Sequence, residues 1–336
     1  MTYNEFTNNL KKGLGSIYII YGNEQYYIDK AIKNIKKSFG ELVLGINYVV
    51  IDDSNLSKLI SNIEIPAFGY EKKLILVKNS GLFKKDGRKL TLNTLQEEIL
   101  SFILENKELI EESCVIVFTE DDFYKNDIYK QISKFSTVVE LNELSINELI
   151  NEIKRIAKLY KVNISDQNAE YMVMSCGTNL QVIINELRKV IEYAGAGGTI
   201  EKNDIDELCI KEISSVIFDL TDNLAIKKID KSINILDNLI YKKEPMQKIF
   251  ITLYNHFRRL YLCEIAIKNK ASIAQTLELK PNQTFLEGKY KNQLRYFDEK
   301  TLRKILDEFV NLDFNYKNGR IDLDVGLRSI LCTYCS

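Results

Sequence analysis

The apolar run Ile17-Tyr18-Ile19-Ile20-Tyr21 ends on Gly22 and is followed by Asn23-Glu24-Gln25-Tyr26-Tyr27-Ile28. A strand, a glycine turn and a helix start in this order are where a nucleotide-binding domain carries its phosphate loop. That loop needs Gly-x-x-x-x-Gly-Lys-Ser/Thr, because backbone amides cradle the phosphates, the lysine neutralises them and the hydroxyl holds magnesium. Counted from Gly22, the second glycine, the lysine and the hydroxyl fall to Tyr27, Ile28 and Asp29. None of these can substitute, and a carboxylate at Asp29 repels a phosphate. The shape of a nucleotide-binding turn is kept without its chemistry, which points to binding or assembly, with no catalytic residue and no cofactor expected.

Other chemistry has little support in the residue types. His256 is the single histidine, lies within a helical pattern and has no nucleophile beside it. Cys114, Cys176, Cys209, Cys263, Cys332 and Cys335 are scattered, mostly in apolar segments, which suits reduced core residues better than a disulfide framework. Cys332-Thr-Tyr-Cys335 has metal or redox spacing, but no second ligand pair accompanies it. Two core-facing helix positions are the ordinary explanation, and no metal site is expected.

A turn of this kind must be held by elements, and the composition allows them. With 336 residues, 45% of them hydrophobic, the chain can form two or three domains with real cores. Its 46 lysines and arginines nearly balance 47 aspartates and glutamates, so no net field drives it onto nucleic acid or membrane, and any DNA contact must be local. No apolar run approaches bilayer length, and Met1-Thr2-Tyr3-Asn4-Glu5 lacks the basic and apolar regions of a signal peptide, which makes the cytoplasm the default location.

Up to about residue 140, short apolar runs alternate with amphipathic stretches, the pattern of a parallel sheet with helices on both faces. Strands are expected at 17–21, 47–51, 73–77, 114–118 and 138–140, with helices near 25–38, 54–63, 91–104 and 127–135. After Leu144 the strand signal fades. Helices are expected over 145–160, opening on the capping-box spacing Ser145-Ile-Asn-Glu148, then over 165–175 and 179–193. Gly195-Ala-Gly-Gly198 is the strongest break in the chain. From about Glu212 apolar residues recur at helical spacing to the end, predicting an all-α bundle.

The order of these units, together with Ile19-Ile-Tyr-Gly-Asn-Glu24, Ile65-Pro-Ala-Phe-Gly69 followed by Lys73-Leu-Ile-Leu-Val-Lys-Asn79, Asn179-Leu-Gln-Val-Ile-Ile-Asn-Glu-Leu187, Phe257-Arg-Arg-Leu260 and Asn318-Gly-Arg-Ile-Asp322, resembles the delta subunit of bacterial DNA polymerase III. Members of that family are clamp-loader subunits that bind and open the sliding clamp. The resemblance implies an α/β AAA+ type domain over residues 1–143, a small helical lid domain over 144–211 and an all-α collar domain over 212–336. It implies a non-ATPase role in loading the clamp onto primed DNA, with the sliding clamp (beta subunit), the ATPase clamp-loader subunits (tau and gamma), the delta-prime subunit and primed DNA as partners. The rival readings are an active AAA+ or P-loop NTPase, and a helical nucleic-acid-binding scaffold.

The resemblance also assigns positions. The place where an ATPase carries Asp-Glu for magnesium reads Lys78-Asn79 here. Thr119 echoes a polar sensor residue, and Leu180 stands near where active relatives have a phosphate-sensing arginine. The implied clamp-binding segment is Ile65-Pro66-Ala67-Phe68-Gly69-Tyr70, where family members commonly insert a leucine and a phenylalanine into a hydrophobic pocket. Ala67 supplies little area, so contact leans on Phe68 with Ile65 or Tyr70. The alternative is that Phe68 packs into its own domain, although Pro66 and Gly69 describe a stiff surface turn. Among basic residues, Lys154, Arg155, Lys158 and Lys161, and separately Lys84-Lys85-Asp-Gly-Arg88-Lys89, are candidates for phosphate contact against the ordinary reading of a solvated face. Arg258 and Arg259 are expected in structural or intersubunit pairs.

Overall fold

Runs rich in isoleucine, valine and aromatic residues become the strands β1 (Ile17–Tyr21), β2 (Tyr48–Ile51), β3 (Lys73–Lys78), β4 (Cys114–Glu120) and β5 (Thr137–Glu140) of one parallel sheet. Their spatial order is β2-β3-β4-β1-β5, with Ile17 opposite Ile116, Leu74 opposite Val115 and Tyr48 opposite Leu74. The central strands are buried on both faces, as a parallel sheet covered by helices requires. This computed structural model describes residues 1–83, 94–121 and 123–335. The expected cluster Lys84-Lys85-Asp-Gly-Arg88-Lys89 lies outside the described residues.

The helices of this unit are α1 (Tyr3–Leu10), α2 (Gln25–Phe39), α3 (Leu59–Glu64), α4 (Thr94–Glu105), α5 (Lys107–Ser113) and α6 (Asp127–Ile132). Period-two alternation divides them between the sheet faces. Ile19, Ile75 and Ile116 join Leu59, Ile63, Ile99 and Ile128 in one apolar cluster, whereas Tyr18 on the opposite face meets Phe6 of α1 edge to face, 6.0 Å between ring centres. The sequence reading missed α1, whose capping box pairs Thr2 with Glu5, and α5. It also expected one helix over 54–63. Instead a 3₁₀ segment, Asp53–Lys58, kinked at Asn55 (φ −130°) whose side chain accepts from the Asp52 amide at 2.8 Å, precedes α3, which begins only at Leu59.

Met1–Glu143 forms one compact unit and Leu144–Ser336 another. The second opens with α7 (Ile146–Leu159), capped by the Ser145–Glu148 box that the spacing predicts, followed by α8 (Asp166–Cys176), α9 (Leu180–Ala194) and α10 (Lys202–Leu208). Two strands too short to leave a sequence signal, β6 (Asn163–Ile164) and β7 (Thr199–Ile200), pair here in parallel. Then come α11 (Ile213–Ala225), α12 (Ile229–Tyr241), α13 (Met246–Lys268), α14 (Ile273–Thr276), α15 (Phe285–Gln293), α16 (Glu299–Lys317) and α17 (Leu323–Cys335). Leu253, Phe257, Leu260, Ile305, Phe309 and Leu327 centre the core of this helical array.

Four of these helices close in the same way. Lys161, Lys227, Lys243 and Lys270 adopt positive φ after α7, α11, α12 and α13, and their amides and the next ones bond back to the last turn, as Lys161 to the Lys158 carbonyl (3.0 Å) and Val162 to that of Ala157 (3.0 Å). Such turns satisfy the carbonyls that a helix end leaves open.

Candidate functional site

The turn after β1 is closed by the protein itself. Gly22 has φ +131°, and a Cβ there would lie 2.0 Å from the Leu141 carbonyl oxygen. That carbonyl accepts from the Glu24 amide at 3.0 Å, while the Glu143 amide donates to Asn23 Oδ1 at 2.7 Å. The first amides of α2, which in an ATPase face a phosphate, meet the Glu24 carboxylate, which accepts from the Tyr26 amide at 3.3 Å. Glu24 is buried, and burial raises its carboxyl pKa above the ordinary value.

The positions that replace the ATPase groups are occupied by packing. Tyr27 is buried and stacks on Tyr3 with 4.5 Å between ring centres, Ile28 is buried, and exposed Asp29 accepts from Gln25 Nε2 at 2.9 Å. Lys78 is exposed at the end of β3. Asn79, at φ +49°, is clasped to Asp121 by two bonds, Nδ2 to Oδ2 at 2.8 Å and the Asp121 amide to Oδ1 at 2.9 Å. The Thr119 hydroxyl donates back into the sheet, to the Val77 carbonyl at 3.4 Å, and Leu180 is buried. Among the described residues no group of three or more His, Cys, Asp or Glu side chains could hold a metal ion, and no helix is long and apolar enough to cross a membrane.

His256 and four of the cysteines are core residues. His256 is buried, with Nε2 3.0 Å from Thr221 Oγ1 and 2.8 Å from Gln293 Oε1, and burial pulls its pKa down to about 4, so the ring is neutral near pH 7. Cys114, Cys176, Cys209 and Cys263 are buried. Cys332 is exposed rather than core-facing, because its place on α17 faces away from the packed side of Leu331 and Leu327.

The segment before β3 is open where the β1 turn is closed. Phe68 is 91% exposed and Ile65 60%, whereas Ala67 is only 9% exposed. Packing of Phe68 into its own domain is therefore overturned. The pair Ala67–Phe68 splits: Ala67 turns inward as an anchor and offers no area to a partner, while Phe68 points out and Tyr70 is half-buried. The physical cause is a tight turn, in which the Tyr70 amide donates to the Ala67 carbonyl at 3.0 Å and Gly69, in the third place, takes φ +80°. Proline restricts φ before the turn and glycine supplies the positive φ within it, so the turn leaves Phe68 displayed on the surface.

Behind this turn sits a group that the sequence reading passed over as a strand residue. Lys73, the first residue of β3, is buried, and its Nζ donates to the carbonyls of Asn62 (2.9 Å) and Ile65 (2.5 Å) at the end of α3. Burial lowers its pKa. Neighbouring Lys72 donates from Nζ to the Glu111 carbonyl at 2.6 Å, at the end of α5.

The basic residues of α7 are not a free cluster. Lys154 pairs with Asp166, and Arg155 holds Glu152 through two bonds of 2.7 and 2.6 Å, leaving Lys158 exposed beside them. Arg258 and Arg259 are exposed on α13.

Two family models match this chain: DNA polymerase III, delta subunit, over residues 18–142, and DNA polymerase III delta subunit, C-terminal domain, over residues 214–334. The DNA polymerase III subunit delta of Bacillus subtilis is 24% identical over 331 residues, covering 96% of this chain and 94% of the relative. A probable DNA polymerase III subunit delta of Aquifex aeolicus is 24% identical over 311 residues, covering 88% and 85%. The solved structure of a Bacillus subtilis DNA clamp loader delta protein superposes with a TM-score of 0.77 at 22% identity, covering 99% of each chain. The fold is that of this clamp loader delta protein, a parallel α/β unit followed by a helical unit.

Proposed function

The chain belongs to the DNA polymerase III delta subunit family, and from that premise we propose that it is the non-ATPase subunit of a replicative clamp loader, which grips the sliding clamp through Phe68 and favours the clamp's open form. The observation that carries the reading is a nearly fully exposed aromatic on a rigid turn. An exposed side chain of this size becomes an interface anchor when a partner pocket buries it. Ile65 flanks it, and Tyr70 closes the turn.

Opening a ring by binding alone is a population shift, limited by the difference in affinity for the open and closed forms. The energy for cycling comes from ATP-hydrolysing sister subunits (tau and gamma), since Glu24, Leu141 and the Tyr27–Asp29 side chains fill the place of a nucleotide here. In this reading residues 1–143 contact the clamp, 144–211 form the lid, and 212–336 form the collar that assembles with the ATPase subunits and delta-prime around primed DNA in the cytoplasm. Of the α7 cations, Lys158 is the one left for a phosphate, because Lys154 and Arg155 already hold carboxylates.

The deciding experiment is direct binding of the full chain to the sliding clamp of the same organism. Saturable binding that competes with a Phe68-containing peptide of residues 61–72 is expected. A chain that does not bind the clamp under any salt condition removes the reading.

A further inference from the structure

The helix α3 ends on an extended residue, as α5 and α10 do, but here a proline follows, and this end leads into the turn that carries Phe68. In an α-helix the carbonyl of residue i accepts from the amide of i+4. For Asn62 that amide belongs to Pro66, and proline has no N–H. The closing turn used by α7, α11, α12 and α13 is also ruled out, because Ile65 leaves the helix extended, at φ −74° and ψ 118°. Among the described residues the Asn62 and Ile65 carbonyls therefore lack the amide partner that a continuing helix would give them, at a helix end whose Ile65 and Pro66 are exposed. Lys73 Nζ meets both, at 2.9 Å from the Asn62 oxygen and 2.5 Å from that of Ile65.

Stability alone does not call for a charge in this place. The following residues of β3, Leu74-Ile75-Leu76-Val77, are apolar and buried, and burying an ammonium costs free energy that an aliphatic side chain with a glycine-closed helix would avoid. Among the described residues no carboxylate forms a salt bridge with Lys73; the carbonyls at the negative end of α3 supply the counter-dipole. What the lysine permits is the combination of Pro66 with an extended exit, which turns the chain outward at Ile65 and sets up the Ala67–Tyr70 turn.

We propose that Lys73 is the positioning residue of the partner-binding turn: its ammonium stands in for the missing Pro66 N–H and holds the Ile65–Tyr70 backbone in the conformation that presents Phe68. The inference rests on the clamp-binding reading above and adds to it a residue that touches no partner. Preorganisation of this kind raises affinity by removing the ordering cost of the loop at the moment of binding.

The test uses the full chain and the sliding clamp of the same organism. Lys73→Met removes the donors at similar length, Lys73→Arg keeps charged N–H donors, Lys73→Gln keeps neutral amide N–H donors, and Pro66→Ala restores the backbone N–H that Asn62 lacks. Clamp affinity and hydrogen exchange of the Tyr70 amide are read on each. Lys73→Met is expected to weaken clamp binding by roughly tenfold and to speed Tyr70 exchange, with Lys73→Arg within about threefold of the parent. Adding Pro66→Ala to Lys73→Met is expected to recover part of the Tyr70 protection. Should Lys73→Met not fold, Lys73→Leu, which likewise has no donor, carries the same comparison. The proposal is overturned if the folded donor-free variant binds the clamp as the parent does, or if Pro66→Ala recovers nothing. Phe68→Ala is the control that separates the two ideas: unchanged affinity there removes the Phe68 contact itself, whereas weakened affinity there with full affinity in the Lys73 variants removes only the role of Lys73.

Discussion

Two turns of the same parallel sheet have opposite fates. The one after β1, Gly22–Glu24, is filled: Leu141 presses on Gly22, and the Glu24 carboxylate covers the helix start. The one before β3, Ile65–Tyr70, is also closed by a backbone hydrogen bond but leaves its aromatic in solvent. Backbone closure is common to both, so closure by itself does not decide whether a turn offers a side chain to a partner. The difference is where the side chains and the backbone amides point once the turn is fixed.

The contrast can be broken most forcefully at Gly22. Gly22→Ala places a methyl group 2.0 Å from the Leu141 oxygen in a backbone region that disfavours a side chain, and is expected to cost about 3 kcal/mol in urea unfolding. A loss within about 0.5 kcal/mol would mean that the filled turn is looser than its contacts imply. Phe68→Ala should do the reverse. Its unfolding midpoint should stay close to the parent's, while clamp affinity falls by about 2 kcal/mol, or roughly thirtyfold. Melting curves and clamp titrations on the same preparation read both halves.

A smaller effect is expected at Glu24. Because burial raises its folded pKa above the ordinary carboxylate value, its contribution to stability is fully present below that ordinary value and is lost as pH rises through the raised one. Glu24→Gln should therefore become more favourable, relative to the parent, from pH 4 to pH 7, by about 1 kcal/mol or less after the weaker helix cap is allowed for. Denaturation series at the two pH values check the sign. The smallest expected effect is none: calorimetry of the parent and of Glu24→Gln with ATP and magnesium should show no saturable heat, since Tyr27 and Ile28 remain packed where a phosphate loop would run. Micromolar ATP binding by either would erase the distinction between the two turns.

Much of this was legible in the residues. The five strands fall where β-branched runs stand, within one or two residues; the three central ones, buried on both faces, are nearly apolar throughout, and the edge strands β2 and β5 keep β-branched residues while partly exposed. The missing phosphate loop could be read by counting from Gly22. By contrast, α1, α5 and the β6–β7 pair left weak signals, being short elements held by capping and neighbours rather than by a long periodic stripe. The likeness of Lys154, Arg155 and Lys158 as three adjacent cations was a fact of spacing; that two of them hold Asp166 and Glu152 was not.

The sequence by itself determined the parallel sheet, the helical second half, the absence of a phosphate-loop motif after Gly22 and the bracketing of an aromatic by Pro66 and Gly69. These depend on local rules, period, glycine and proline geometry, and the presence or absence of named groups. Only the tertiary structure decided that Ala67 faces in while Phe68 faces out, and that Lys73, written as an ordinary strand residue, reaches the end of α3. Which neighbour covers a side chain, and which carbonyl meets a buried ammonium, is set by elements that meet in space: Lys73 and Asn62 are eleven residues apart in the chain and 2.9 Å apart in the fold.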